Sequence, residues 1–205
     1  MIINKKDWNN YLNKKELVKI YGKSQDSYIF AVGYMIADIG QYYIFEVVDD
    51  VGSLDSYVLY KKTEIEKLVC NDSHTRMFDF YIDYLKKQDE YDRLNLQKVY
   101  NDIPHNDIIT LLDYCCNYGF YVTIAESEDE YEETVKIISV DTQKVLIDQT
   151  EYCKDHNLMD EVRSDPIKIA DILTLDIISK ENFLYEQYLK QKKLVKFIRA
   201  KKATF

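Results

Sequence analysis

Val32-Gly-Tyr-Met-Ile-Ala-Asp38 and Val135-Lys-Ile-Ile-Ser-Val-Asp141 share an apolar rhythm and both close on an aspartate. Reading outward, Val18-Lys-Ile20 answers to Val122-Thr-Ile124 at a separation of 104 residues. Downstream, Tyr42-Tyr-Ile44 answers to Val145-Leu-Ile147, Glu64-Ile65 to Asp171-Ile172, and Tyr84-Leu85 to Tyr188-Leu189. Few residues are identical, but the order is the same twice: short apolar runs bounded by polar turns, then a helical pattern. Self-similarity at long period points to a duplication.

In the first copy the runs are Leu17 to Tyr21, Tyr28 to Ile39, Tyr42 to Val48, Tyr57 to Tyr60 and Glu64 to Val69. All are rich in Val, Ile, Tyr and Phe, which suits a pleated, half-buried surface, and they read as strands. Gly40-Gln41 fits a tight hairpin, and Asp49-Asp-Val-Gly52-Ser a longer turn. Trp8, Tyr11 and Leu12 lie at helical spacing, as do Met77, Phe78, Tyr81, Ile82 and Leu85 after the fifth run. Asp107 to Asn117 opens the second copy and Phe183 to Ile198 closes it in the same way. Five short strands cannot bury both faces as a flat sheet, so closure into a small barrel is expected for each copy. The expected fold is therefore α+β: two tandem five-stranded barrels, each preceded by a short helix and followed by a longer one. Asn101-Asp-Ile-Pro104-His-Asn-Asp107 breaks the pattern and places the boundary between repeats 1–103 and 104–205.

The order helix, strand, then a strand hairpin with an aspartate in its turn resembles the Sm-like (SH3-like) small β-barrel. Val122-Thr-Ile124, Val135 to Asp141 and Val145-Leu-Ile147 look like its first motif, and Ile167 to Leu175 like the strands around its second. The first copy, through Val32 to Asp38 and Gly52 to Tyr57, is also similar to uncharacterised tandem barrel proteins of low-GC Gram-positive bacteria. That resemblance implies an RNA-binding function, carried in the family by an Asn after the hairpin aspartate and an Arg-Gly or Lys-His pair. Here Thr142 follows Asp141, Ile39 follows Asp38, and no such pair stands in the second motif.

Composition bounds the rest. Apolar residues make up 46% of the 205 and charged residues 31%, the balance of a folded chain, and five Gly with two Pro imply short loops. No uncharged apolar run approaches the length of a membrane span, and Met1 to Lys19 has no secretory core, so a cytoplasmic protein without membrane contact is expected. Cys70, Cys115, Cys116 and Cys153 show no CxxC pair and read as reduced thiols. Net charge is −9, yet the seven cations between Lys190 and Lys202 have no acid among them and leave −16 on the remainder. Cations at a helix C-terminus are favoured by the macrodipole; contact with RNA or an acidic partner is the other reading.

No constellation of catalytic type stands out. His74, His105 and His156 lie outside any nucleophile motif, and Cys153 with His156, or Cys70 with His74, falls short of a zinc set. Asp49, Asp50 and Asp55 beside Gly52 are turn formers before they are paired acids. Glu126 to Glu133 carries six carboxylates in eight residues without the spacing of a cation loop, and reads as a solvated hairpin tip. Nineteen tyrosines suit protein contacts, since the ring is large and rigid and the hydroxyl polar. The expectation is a non-enzymatic binding or adaptor protein, of the kind that suits an inhibitor or immunity role, with no cofactor and no metal. It would act as a monomer with a pseudo-two-fold repeat or as a homodimer, and contact another protein through Tyr42, Tyr43, Gly52, Asp55 and Tyr57. The alternative is RNA binding through Lys192, Lys193, Lys196, Arg199, Lys201 and Lys202.

Overall fold

The run at Leu17 forms strand β2 (Leu17–Gly22), preceded by a short strand β1 (Ile2–Ile3) and a 3₁₀ turn (Lys5–Tyr11). The structure is a computed structural model. It describes all residues except 13, 24–29, 127–132, 160, 161, 164 and 203–205, and describes 196–202 as helical backbone only. Strands β3 (Ala31–Ile39), β4 (Tyr42–Val48) and β5 (Leu54–Lys61) follow as antiparallel neighbours, and β6 (Ile65–Cys70) returns to lie beside β2. Then come helices α1 (Ser73–Lys87), α2 (Leu96–Asn101) and α3 (Ile108–Tyr118). Strands β7 (Tyr121–Ala125), β8 (Glu133–Val140) and β9 (Lys144–Asp148) lead to helix α4 (Thr150–His156). The chain closes with β10 (Ile167–Lys168), β11 (Thr174–Ser179) and helix α5 (Lys180–Lys202).

Two closed barrels do not form. Among the described residues all eleven strands join one open antiparallel sheet in the order β1-β6-β2-β3-β4-β5-β11-β7-β8-β9-β10. The reason lies in the strand edges. A first barrel would need β5 to return to β6, but β5 is paired with β11 from Ser56↔Ser179 to Tyr60↔Thr174, and the free side of β6 takes β1. The order within each five-strand run is the same, β6-β2-β3-β4-β5 and then β11-β7-β8-β9-β10, and the β5·β11 pairing joins the two runs into one sheet.

Layers form on both faces. Trp8 and Tyr11 of the 3₁₀ turn cover Val18, Ile20, Phe45, Ile65 and Leu68, while Phe78 and Ile82 of α1 cover Leu17, Val32 and Val48 on the other side. The largest core lies under α2 and α3 and includes Ile44, Tyr57 and Leu59 from the first run with Val122, Ile137 and Leu175 from the second. Strand β4 thus has both faces covered, and six of its seven residues are buried. Helix starts are local chemistry: Asp72 accepts from the Thr75 amide while Thr75 Oγ1 accepts from the Asp72 amide, and Asp107 caps α3 through Thr110. Helix α3 ends on Gly119 at φ +70°, a left-handed conformation natural to glycine.

Irregularities in β3, between Met35 and Ala37, and in β8, between Ile137 and Ser139, fall shortly before the two hairpin tips. Such bulges bend a strand and re-aim its end.

Candidate functional site

The tips of β3–β4 and β8–β9 flank a cleft of about 570 Å³. Ile39, Gln41 and Tyr42 come from one tip, Thr142, Gln143 and Lys144 from the other. Asp107 and Ile108 at the start of α3, with Lys168, Ile169 and Ala170 at the end of β10, complete the lining. Its walls are pinned by the backbone. The Tyr42 hydroxyl lies 3.1 Å from the carbonyl oxygens of both Ile169 and Ile172, the Ile169 amide donates to the Gln143 carbonyl, and Lys61 Nζ donates to the Ala170 carbonyl. Burial pushes the Tyr42 phenol up to about 12, so it stays neutral. Ile39, Ile108, Ile169 and Ala170 supply apolar surface, and Lys144 and Lys168 supply cations. Asp107 is engaged with Thr110, whose amide and hydroxyl hold its carboxyl below the usual range.

Of the five residues expected from sequence to contact a partner, Tyr42, Tyr43, Gly52, Asp55 and Tyr57, only Tyr42 lines this cleft. Tyr42, Tyr43 and Tyr57 are buried, and their rings serve the interior. The Tyr43 hydroxyl donates to Asn9 Oδ1 at 2.5 Å. Tyr57 stacks on Tyr100 at 3.9 Å between ring centres and donates to Glu46 Oε2. Gly52 takes φ +86° in the β4–β5 turn, with Tyr81 Cβ 3.0 Å from where its own Cβ would stand. Asp55 is partly exposed, and burial raises its carboxyl although Lys180 at 3.9 Å works the other way.

Beside Asp55 a polar cluster crosses the seam between the two runs. Lys180 Nζ lies 2.5 Å from Asp49 Oδ2 and 2.5 Å from Ser53 Oγ, and the Ser53 hydroxyl donates to Asp49 at 2.6 Å. The group looks like a nucleophile with its activators, but the charges are wrong for it. The serine proton faces a carboxylate that burial would raise but that the bonds from Lys180 and Ser53 hold below the ordinary range. Such a carboxylate is a poor base near neutrality. The cluster is an ion clamp.

The basic segment is partly committed. Lys192 donates to both oxygens of Asp155, at 2.6 and 2.7 Å, and stands 4.0 Å from Glu151, whereas Lys193 is exposed. Lys196, Arg199, Lys201 and Lys202 lie outside the residues whose side chains are described, and residues 127–132 of the acidic tip lie outside the described residues altogether. Glu126 and Glu133, at the ends of that tip, both face Arg163. Among the described residues no group of three or more His, Cys, Asp or Glu converges as a metal site, and no helix is long and apolar enough to cross a membrane.

Sequence reading missed most of the cleft because it is assembled from four separated segments. The signal that marks it is the pair of matched turns, Asp38 to Gln41 and Asp141 to Gln143. No protein-family model, curated protein or solved structure matches this chain.

Proposed function

We propose that this is a non-enzymatic binding protein that acts through protein–protein contacts, taking an extended segment of its partner into the cleft between the two hairpin tips. The observation that carries the reading is the cleft itself: about 570 Å³, within the range of ligand pockets, with Ile39, Ile108, Ile169 and two lysines among its lining residues. One wall is β10, the last strand of the sheet, whose outer side has no strand beside it among the described residues. A sheet edge offers main-chain donors and acceptors to an incoming strand, while side-chain pockets set specificity. Lys144 and Lys168 favour a segment with a carboxylate beside an apolar side chain, and the Gln41 and Gln143 amides suit a peptide backbone.

Panning a random peptide library on the full chain tests this. Selected peptides are expected to share an apolar residue next to an acid and to lose affinity about tenfold or more in the Lys144→Glu/Lys168→Glu variant. Peptides that bind this variant as they bind the parent, or a library that yields none, would overturn the reading. So would a salt-dependent RNA affinity that outcompetes every peptide.

A further inference from the structure

Residues 102–107 join α2 to α3. Among the described residues, Pro104, His105 and Asn106 make no backbone hydrogen bond, so side chains must fasten this linker. Ile103 is buried in the largest core, and the His105 ring lies flat on Tyr100, with 4.3 Å between centres and 13° between planes. Tyr100 stacks in turn on Tyr57, whose hydroxyl donates to Glu46. A column of rings thus runs from a carboxylate on β4 to a histidine in the linker.

One atom of that column is badly placed for acid. Nδ1 of His105 is closed to water and has no hydrogen-bond partner. With the proton on Nε2, Nδ1 is only an idle acceptor; in the imidazolium it becomes a donor. A charged N–H would then sit where nothing accepts it, which costs far more than an idle lone pair. Burial accordingly lowers the imidazole below its ordinary value.

No neighbouring charge offsets that cost, because each is engaged elsewhere or faces water. Helix α2 lies over β5 and β11. On β5, Asp55 stands by Lys180, and Lys61 is bonded to the Ala170 carbonyl. On β11, Asp176 lies between Leu175 and Ile177, which face this core, and so points to the other side of the sheet. Lys98 of α2, Asp113 of α3 and Asp102 of the linker are exposed, and Asp107 is held by Thr110. Glu46 lies beyond two rings.

We propose that His105 is an acid-sensitive latch: neutral, it holds the α2–α3 linker on Tyr100; protonated, it swings to water and frees residues 102–107. An open ring takes its proton near the ordinary value of about 6.5 and a closed ring only at lower pH. The latch is therefore at full strength above that value and weakens as pH falls below it. Asp107 and Ile108, just beyond, line the cleft between the hairpin tips, so opening withdraws one of its walls. Control of the cleft rests on the binding reading above; the latch itself does not.

Hydrogen exchange of the amides of residues 101–108 in the full chain, without peptide and corrected for the intrinsic effect of pH, tests the latch. Between about pH 7.5 and pH 5 the linker is expected to open about threefold or more, and the Tyr100 ring resonances to move through the same titration. His105→Phe keeps a flat ring that takes no proton, and is expected to stay closed at both pH values. His74→Phe removes another histidine whose Nδ1 is buried without a partner, and is expected to keep the parent's response. Linker exchange in the parent that does not change with pH, a His105→Phe protein that opens with acid as the parent does, or a His74→Phe protein that no longer opens would each overturn the latch. The parent's own titration decides the matter even where a variant does not fold. A chain that binds no peptide but opens with acid supports the latch while failing the binding reading.

Discussion

The Lys180 ammonium lies 2.5 Å from the Asp49 carboxylate, joining the first turn of α5 to the β4–β5 turn across 131 residues of chain. With Ser53 as third member, this pair clamps the Ser56↔Ser179 end of the β5·β11 seam. Burial alone would raise Asp49, but the Lys180 bond, helped by those from Ser53, prevails and holds it below the usual carboxylate range. A depressed folded pKa contributes stability above the unfolded value, near 4, and loses it as pH falls toward the folded one. Lys180→Met should therefore cost about 1–2 kcal/mol near neutrality, between an exposed and a buried pair, and flatten the loss of stability below about pH 4. Urea unfolding at a series of pH values checks both; unchanged acid sensitivity in the variant would count against the clamp.

Asp72 has two duties at once. It caps α1 through the Thr75 amide and meets Lys19 Nζ at 2.5 Å. Burial opposes the charge, yet these partners bring its carboxyl down to about 2. Asp72→Ala is expected to cost about 1–2 kcal/mol through the lost cap. The deficit should be full near neutrality and shrink as pH drops below about 4, since protonation weakens the same bonds in the parent. Thermal melts at pH 7 and pH 3 separate this from a pH-independent packing defect.

Gly33 sits where β3 crosses close to β4, and a Cβ there would stand 2.3 Å from the Glu46 carbonyl oxygen and 3.1 Å from Val47 Cα. Both neighbours are backbone, so relief means separating the strands. Gly33→Ala should destabilise by about 2–4 kcal/mol despite alanine's lower entropy cost. Gly40→Ala is the control: its φ is +74° but nothing lies within 4 Å, so only the strain of the left-handed conformation, about 1–2 kcal/mol, applies. Chemical denaturation of the two variants ranks them, and equal losses would mean that close approach is not what Gly33 serves.

These positions also show what a linear reading can and cannot reach. The run Leu17 to Tyr21 is β2 and the run at Tyr42 is β4, because β-branched and aromatic residues between turns need no tertiary information to read as strands. Which edge pairs with which is another matter. Nothing local to Leu54–Lys61 distinguishes a return to β6 from the pairing with β11, and that choice decides between barrel and open sheet. The tyrosines mislead for a related reason. Tyr42 and Tyr43 alternate along β4 as if one faced water, but α2 and α3 cover one side and the 3₁₀ turn the other, so both are buried. The cleft joins residues 39–42, 107–108, 142–144 and 168–170, and only its turns leave a mark in the sequence.

The buried tyrosines make a last prediction, at the alkaline end. Burial raises the phenols of Tyr57, Tyr91, Tyr100, Tyr121 and Tyr185, with Glu46 adding to the first three. Tyr91 donates to Glu46 Oε1 at 2.6 Å, and Tyr57 to Oε2 of the same carboxylate at 3.2 Å. A phenol raised in the folded state contributes stability that is whole below the unfolded value, near 10, and is lost as pH climbs above it. After a jump to high pH, tyrosinate absorbance should appear in two phases. The slow phase belongs to the buried set, which ionises only at the rate of unfolding. Tyr91→Phe should cost about 1.5–3 kcal/mol, as expected for a hydrogen bond to a charged group, and speed the slow phase. Ionisation of all nineteen tyrosines in a single fast step would show that the rings packed around Glu46 are open to solvent.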